Sequence, residues 1–316
     1  MRVHGVAPGG TRVRAAAGTA ATAVVLMAAV GCGGPGATGP ARPTDGSGPV
    51  RDLTTAEEAV LDRAEGLLVR QCMAEAGFSF WPAAEDGTAE REGFGYVLDD
   101  VGWARKYGYG GQFAKKAEKA RRSGPNVSYL NSLPRNRRMR YDATLGGRLA
   151  EDALTVELPQ GGTVRTPRDG CRAAAQGELY GDFATWFRVQ AIATNLTPLF
   201  VPDLVRDKRF REAVGAWSAC MRTKGHDYPD PPAVRAELPA LTEGLDDAEA
   251  HAVEVRLAVD EATCATTTRL AATGRALERE YRAEKTVRYR EDVRTYQRLR
   301  LSALARAHEI VHDATA

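Results

Sequence analysis

The chain has 316 residues, enough for one large domain or two small ones with a real core. Its 43 basic and 41 acidic residues give a formal charge of +2. Three of the arginines (Arg2, Arg12, Arg14) stand in the first 31 residues, which hold no acid, so without that segment 40 basic residues face 41 acidic ones and the net charge is −1. Such a balance gives no general pull toward nucleic acid, which is excluded as an expected partner.

Residues 2–14 carry arginines and no acid, and residues 15–30 follow as a run of sixteen without charge. A helix needs roughly 20 apolar residues to cross the hydrocarbon core, so this run is too short to span it. A basic start, a short apolar run and small residues at its end are the three parts of a secretory signal. After it, Cys32-Gly-Gly-Pro-Gly-Ala-Thr-Gly-Pro cannot continue a helix, and residues 32–50 read as a flexible tether. Ala29-Val30-Gly31-Cys32 resembles the lipobox of bacterial lipoproteins, with Ala29 where that family usually has Leu. The resemblance implies that residues 1–31 are removed as a signal peptide and that Cys32 becomes the lipidated first residue. It further implies that residues 51–316 form a body on the extracytoplasmic face of the membrane. Two or more acyl chains, palmitate among them, hold such a protein firmly, since each buried CH2 contributes about 0.8 kcal/mol. Ordinary secretion, with Cys32 an incidental thiol, is the other expectation.

Thr55-Ala-Glu-Glu58 reads as a capping box opening a helix. Val60, Leu61, Ala64, Leu67, Leu68 and Cys72 then follow the 3.6-residue period up to Gly77. From Phe78 to about Gly124 the chain is rich in glycine and aromatics, and short helices such as 112–122 are expected between loops. Residues 126–133 and 134–145 read as two consecutive short helices, with Pro134 starting the second. Residues 154–158 and 163–166 around Pro-Gln-Gly-Gly give the one clear strand signal, a hairpin. Helices resume near Arg168 and continue in pieces through 183–195 and 207–224. Asp246 or Asp247 opens the longest helix, which the pattern carries to the C-terminus with a soft spot at Gly274. Leu270, Leu277, Tyr281, Val293 and Tyr296 mark its apolar side. The expected class is mainly α: a disulfide-stapled helical domain with one small β-hairpin and a long C-terminal helix.

Four cysteines remain in the body, Cys72, Cys171, Cys220 and Cys264. An even number in an exported chain points to two disulfides, with three possible pairings. An internal repeat bears on the choice. Cys72-Met73-Ala-Glu-Ala-Gly77-Phe78-Ser-Phe80-Trp81-Pro82 recurs as Cys220-Met221-Arg-Thr-Lys-Gly225-His226-Asp-Tyr228-Pro229. In each copy a helix ends at a glycine able to take the left-handed cap, and an extended, aromatic-anchored segment leaves it. Each copy is followed by one further cysteine, so the simplest pairing is Cys72–Cys171 and Cys220–Cys264, at roughly 4 kcal/mol each from loop-closure entropy. Zinc, the rival use of four cysteines, finds no Cys-x2-Cys spacing. Trp217-Ser-Ala-Cys220-Met221, Tyr228-Pro229-Asp230-Pro231, Asp169-Gly170-Cys171-Arg172 and Leu179-Tyr180-Gly181 together resemble a group of secreted actinobacterial lipoproteins to which no activity is assigned. The likeness covers most of residues 55–310 and implies a location and a helical, stapled body.

His308-Glu309-Ile310-Val311-His312 matches the H-E-x-x-H pattern, and its letters resemble those of zinc metallopeptidases. There, His308 and His312 would be ligands and Glu309 the base that activates water. A catalytic zinc takes three protein ligands, such families place the third downstream, and only four residues follow His312. The remaining histidines of the body are His226 and His251.

Residues 275–300 interleave arginines with Tyr281, Tyr289 and Tyr296. They read first as a solvated helix whose arginines pair with Glu278, Glu280, Glu284, Glu291 and Asp292, and second as a face for an anionic wall polymer or lipid headgroups. The basic stretches 115–122 and 135–140, with fewer acids nearby, are the better anion-binding candidates. Trp81, Trp103, Trp186 and Trp217 read first as core residues and second, with neighbouring tyrosines, as the lining of a sugar or peptide cleft. No phosphate-binding loop, dinucleotide frame or Gly-x-Ser-x-Gly elbow appears, and no cofactor is expected. The sequence thus points to a lipid-anchored, non-catalytic binding or structural module of the cell envelope, partnered by the membrane and by a wall polymer or another exported protein. A zinc-dependent hydrolase using His308, Glu309 and His312 is the alternative.

Overall fold

In the first helix, α1 (Thr55–Glu75), the Thr54 hydroxyl accepts from the Glu57 N–H, and the Glu57 carboxylate accepts from the Thr54 N–H at 2.8 Å. The capping box therefore sits one residue earlier than expected from the sequence. The doubled Thr54-Thr55 and Glu57-Glu58 allow two registers, and the partners choose between them. Arg51 holds Glu57 at 2.6 Å, whereas Glu58 accepts from Arg300 at 2.6 Å. The computed structural model describes residues 50–83 and 95–314; Cys32, the leader and most of the tether lie outside the described residues.

Four short helices follow: α2 (Val101–Tyr107), α3 (Gly111–Ser123), α4 (Pro125–Ser132) and α5 (Arg135–Gly146). Strands β1 (Leu154–Glu157) and β2 (Thr163–Thr166) form an antiparallel hairpin, with Leu154 opposite Thr166 and Glu157 opposite Thr163. Leu154 and Val156 are buried while Thr155 and Glu157 are exposed, the alternation of a half-covered strand. Helices α6 (Cys171–Tyr180), α7 (Phe183–Ala193), α8 (Val201–Arg206), α9 (Lys208–Thr223), α10 (Pro231–Leu241), α11 (Asp247–Thr267), α12 (Leu270–Lys285) and α13 (Arg290–Asp313) complete the chain. Short 3-10 turns, Thr197–Leu199 and Val287–Tyr289, precede α8 and α13. The class is mainly α, with one two-stranded hairpin, a long C-terminal helix and two disulfides. No described helix is long and apolar enough to cross a membrane.

The single long helix expected after Asp246 is instead three. The first break falls at Thr268-Arg269, where Arg269 takes a left-handed φ of 60°. Thr266, Thr267 and Thr268 all turn their hydroxyls back onto carbonyls of the preceding turn, at 3.0, 2.9 and 2.6 Å. Such side chains compete with the helical ladder. Gly274, the expected soft spot, lies buried inside α12 beside Leu270 and Leu277. The second break is the 3-10 turn at Val287–Tyr289.

Of the apolar clusters among the described residues, the two largest each surround a disulfide. Cys72–Cys171 joins the end of α1 to the start of α6, in a core with Leu61, Met73, Phe78, Leu179, Trp186 and the α13 residues Ala303 and Ala307. Cys220–Cys264 joins α9 to α11, in a core with Phe210, Trp217, Met221, Leu257, Leu270 and Leu277. Each large side chain fully buried in these cores contributes about 1.5–3 kcal/mol relative to exposure. Both bridges are within-copy pairs, with Cα separations of 5.6 and 5.7 Å, ordinary for disulfides.

Candidate functional site

The two Cys-Met-x3-Gly copies fold alike at the backbone. Gly77 and Gly225 take φ of 77° and 88°, and a Cβ at either would meet nothing within 4 Å, so conformation rather than space requires glycine there. The next residue's N–H closes the helix in both: Phe78 donates to the Met73 carbonyl at 2.9 Å and His226 to that of Met221 at 3.0 Å. Both methionines are fully buried.

The side chains after the glycine then diverge. Phe78 is buried, edge-on to Tyr141 at 5.5 Å, with the Arg137 guanidinium over its face at 5.4 Å. His226 is half-buried, and its Nε2 lies 3.0 Å from the Asp260 carboxylate. Lys224 donates to the other oxygen of Asp260 at 2.9 Å. Partial burial pushes the Asp260 pKa up, but the hydrogen bonds from Lys224 and His226 outweigh it and hold the group below the usual carboxylate range. An ionised Asp260 fixes the proton on Nε2, and Nδ1 is left as the ring's second polar atom, an acceptor when the ring is neutral and a donor when it is protonated.

His226 lines a cleft of about 690 Å3 between the segment after Gly225, α10 and α11. Leu257, Val253 and Leu241 give it apolar walls, Tyr228 an aromatic face, and Glu237 and Arg256 opposite charges from α10 and α11. The entry segment is pinned where Ser218 donates to the Tyr228 carbonyl at 2.6 Å. Asp230 caps α10 through the Ala233 N–H at 2.9 Å, and the prolines at 231 and 232 fill its first turn. These contacts are the physical content of Tyr-Pro-Asp-Pro.

Behind the cleft lies a buried polar network centred on Glu261, which is fully buried. Its carboxylate accepts from the Leu98 N–H at 2.9 Å, the Tyr109 hydroxyl at 2.7 Å and Arg235 at 3.4 Å. Arg235 also donates to the Tyr96 carbonyl at 2.7 Å, and the Trp217 indole N–H reaches the Glu261 carbonyl at 3.4 Å. Burial first, and then the Glu261 charge, push the Tyr109 pKa far up, so this phenol stays a donor. Through Arg235 and Glu261 the network links α10 to α11, two of the elements that wall the cleft. A smaller cleft of about 430 Å3 near the start of α3 holds His251, Lys115, Asp247 and Glu254. There the Lys115–Asp247 pair at 2.6 Å and the Gly111 N–H to Glu254 bond at 3.2 Å engage the charges with one another.

His308, Glu309 and His312 lie exposed on α13, and the His312 Nδ1 is 3.5 Å from Asp313. Among the described residues no group of three His, Cys, Asp or Glu side chains is placed to hold a metal ion. The five acids of the 275–300 stretch all have basic partners: Glu278 with Arg282, Glu280 with Arg209, Glu284 with Lys285, Glu291 with Arg298 and Asp292 with Arg188. In the other basic stretches, Glu118 engages Arg121 and Arg122, while Arg137 and Arg138 donate to the carbonyls of Gly77 and Leu133. Trp186 and Trp217 are buried, but Trp81 is 42 % exposed rather than a core residue; Asn126 clamps its backbone through two hydrogen bonds, of 2.9 and 2.7 Å, and leaves the ring outside.

Sequence reasoning passed over Lys224, His226 and Asp260 as a cluster, although a signal was present. Pairing Cys220 with Cys264 sets the residues just after Cys220 beside the helical turn just before Cys264, where Asp260 stands. Fold and site together define a mainly α, doubly stapled protein with a polar cleft at its second helix stop. The chain matches no protein-family model, no curated protein and no solved structure.

Proposed function

We propose that this protein is a lipid-anchored extracytoplasmic lipoprotein whose body is a non-catalytic binding module, and that the His226 cleft holds a polar fragment of cell-wall polymer. One observation carries the binding site. Where the first copy seals its helix stop with Phe78, the second carries His226, tied to Asp260 and facing an open cleft. A residue kept only for packing has no need of such a partner. Apolar walls with a few convergent polar groups are the usual make-up of a ligand site. Tyr228 and the aliphatic side chains suit the apolar face of a sugar, and His226, Glu237 and Arg256 suit its hydroxyl, amide and carboxylate groups. The leader, Cys32 and the two disulfides support export and anchoring.

Two measurements test this. The intact mass of protein taken from membranes should correspond to a chain starting at acylated Cys32; an unmodified or different N-terminus overturns the anchor. Purified wall sacculi should pellet the wild-type protein, and His226→Phe, which installs the first copy's aromatic, should bind at least tenfold more weakly. Equal pelleting of the two, or none of either, overturns the cleft as the binding site.

A further inference from the structure

A third cleft, between α8 and α12, is the most apolar of the three. It encloses about 280 Å3, and its walls are Tyr96, Phe200, Val201, Leu204 and Val205. Val201 and Val205, one turn apart on α8, are each 36 % exposed. The polar groups at this cleft are the side chains of Thr197 and Glu278 and the hydroxyl of Tyr96. Glu278 is already engaged by Arg282 at 3.1 Å, and the Arg282 guanidinium lies over the Phe200 ring, 5.3 Å from its centroid.

These features restrict what can occupy the space. A water molecule needs two to four polar partners, and this lining supplies few, so water there is easily displaced. Whatever replaces it must carry no hydrogen-bonding groups over most of its length. A space of about 280 Å3 has room for several water-sized groups, the bulk of a short or medium-length alkyl chain. Arg282 offers five N–H donors in a planar fork, and the bond to Glu278 leaves others for a second anion.

The position in the fold adds a second reason. Leu199 of the 3-10 turn that leads into α8, and Tyr289 and Val293 at the start of α13, pack against one apolar cluster that includes Leu196. Asp52 accepts from Gln297 at 2.8 Å, seven residues into α13. The chain therefore enters its folded body about 10 Å along that helix from this end. Seventeen residues stand between Cys32 and Val50, and that stretch spans at most roughly 60 Å. This last support rests on the reading of Cys32 as the anchor; the shape and lining of the cleft do not.

We propose that the α8–α12 cleft binds one aliphatic chain of a fatty acid or lipid, with the anionic head against Arg282. The test uses the mature chain carrying Cys32→Ser, so that no covalent acyl group competes, titrated calorimetrically with decanoic acid. Saturable binding of one equivalent is expected, weakened at least tenfold in Val205→Trp and in Val201→Trp. Val287→Trp, at a valine 50 % exposed elsewhere, should bind as the wild type does. Competition by phosphatidylglycerol vesicles would identify a membrane lipid as the source, and its absence a free acid. Failure of decanoate to bind saturably, or unchanged affinity in both α8 variants when their melting curves remain cooperative, overturns the proposal. Neither result bears on the His226 cleft or on the anchor.

Discussion

The two helix ends marked by Cys-Met-x3-Gly share a backbone and differ in the side chain set just beyond the glycine. In the first copy this residue is Phe78, packed under Tyr141 and Arg137 and closed to water. In the second it is His226, coupled to Asp260 and Lys224 on the wall of a cleft. Since helix stop, buried methionine and disulfide are common to both, folding alone does not account for the difference. One stop is thus packed shut, while the other leaves a titratable side chain on the wall of an open cleft.

The largest effects should come from the feature that the copies share. Removing Cys72–Cys171 as a double serine variant should cost about 4.7 kcal/mol, and removing Cys220–Cys264 about 4 kcal/mol, because the first closes a loop of 99 residues and the second one of 44. Chemical denaturation of the two variants checks the order. Equal or reversed losses would mean that native packing, not loop closure, sets the value of each staple. Next comes the support behind the cleft. Glu261→Ala strips the buried Leu98 N–H and Tyr109 hydroxyl of their acceptor and should cost about 3 kcal/mol by the same assay.

Exchanging the divergent residues sharpens the contrast. Phe78→His buries an imidazole in an apolar site and should cost about 3 kcal/mol. His226→Phe should change stability by less than about 1 kcal/mol, since its site is only half closed, yet weaken wall binding at least tenfold. A large loss of stability in His226→Phe would make the second copy as structural as the first.

The smallest effect is on pH dependence. Asp260 has its pKa lowered in the folded state, so the stability it adds is fully present above its unfolded value, near pH 4, and is lost as pH falls through the folded value. Thermal melts between pH 2 and 6 should show a shallower acid limb in Asp260→Asn than in the wild type. The difference should stay under about 1 kcal/mol because water reaches the group. A steeper limb in the variant would contradict the assignment. Glu57, held down to about 2 by Arg51 and Thr54, adds to the acid limb in both proteins alike.

Much of this architecture can be read from local rules. The α1 period, the hairpin turn, the helix-stopping glycines and the cysteine repeat each act over a few residues, and each has a structural counterpart. The long C-terminal helix misled because its breaks come from threonines and a left-handed arginine, which carry no Gly or Pro signal. The Thr54 register was settled by Arg51 and Arg300, one of them 242 residues from its partner Glu58. The candidate site was hidden for a related reason. Asp260 and Glu261 are ordinary letters inside α11, His226 stands just past the end of α9, and a disulfide and a tertiary network bring them together. His308, Glu309 and His312 show the converse: a familiar pattern that leaves exposed side chains on α13.

The measurement closest to the heart of this account is amide hydrogen exchange of the mature protein with and without solubilised wall fragments. Protection should rise in residues 225–241 and 253–257, around His226, while residues 77–82 of the first copy exchange as before. Protection confined to the first copy, or no change at either, would contradict the assignment of the second helix stop as the ligand site.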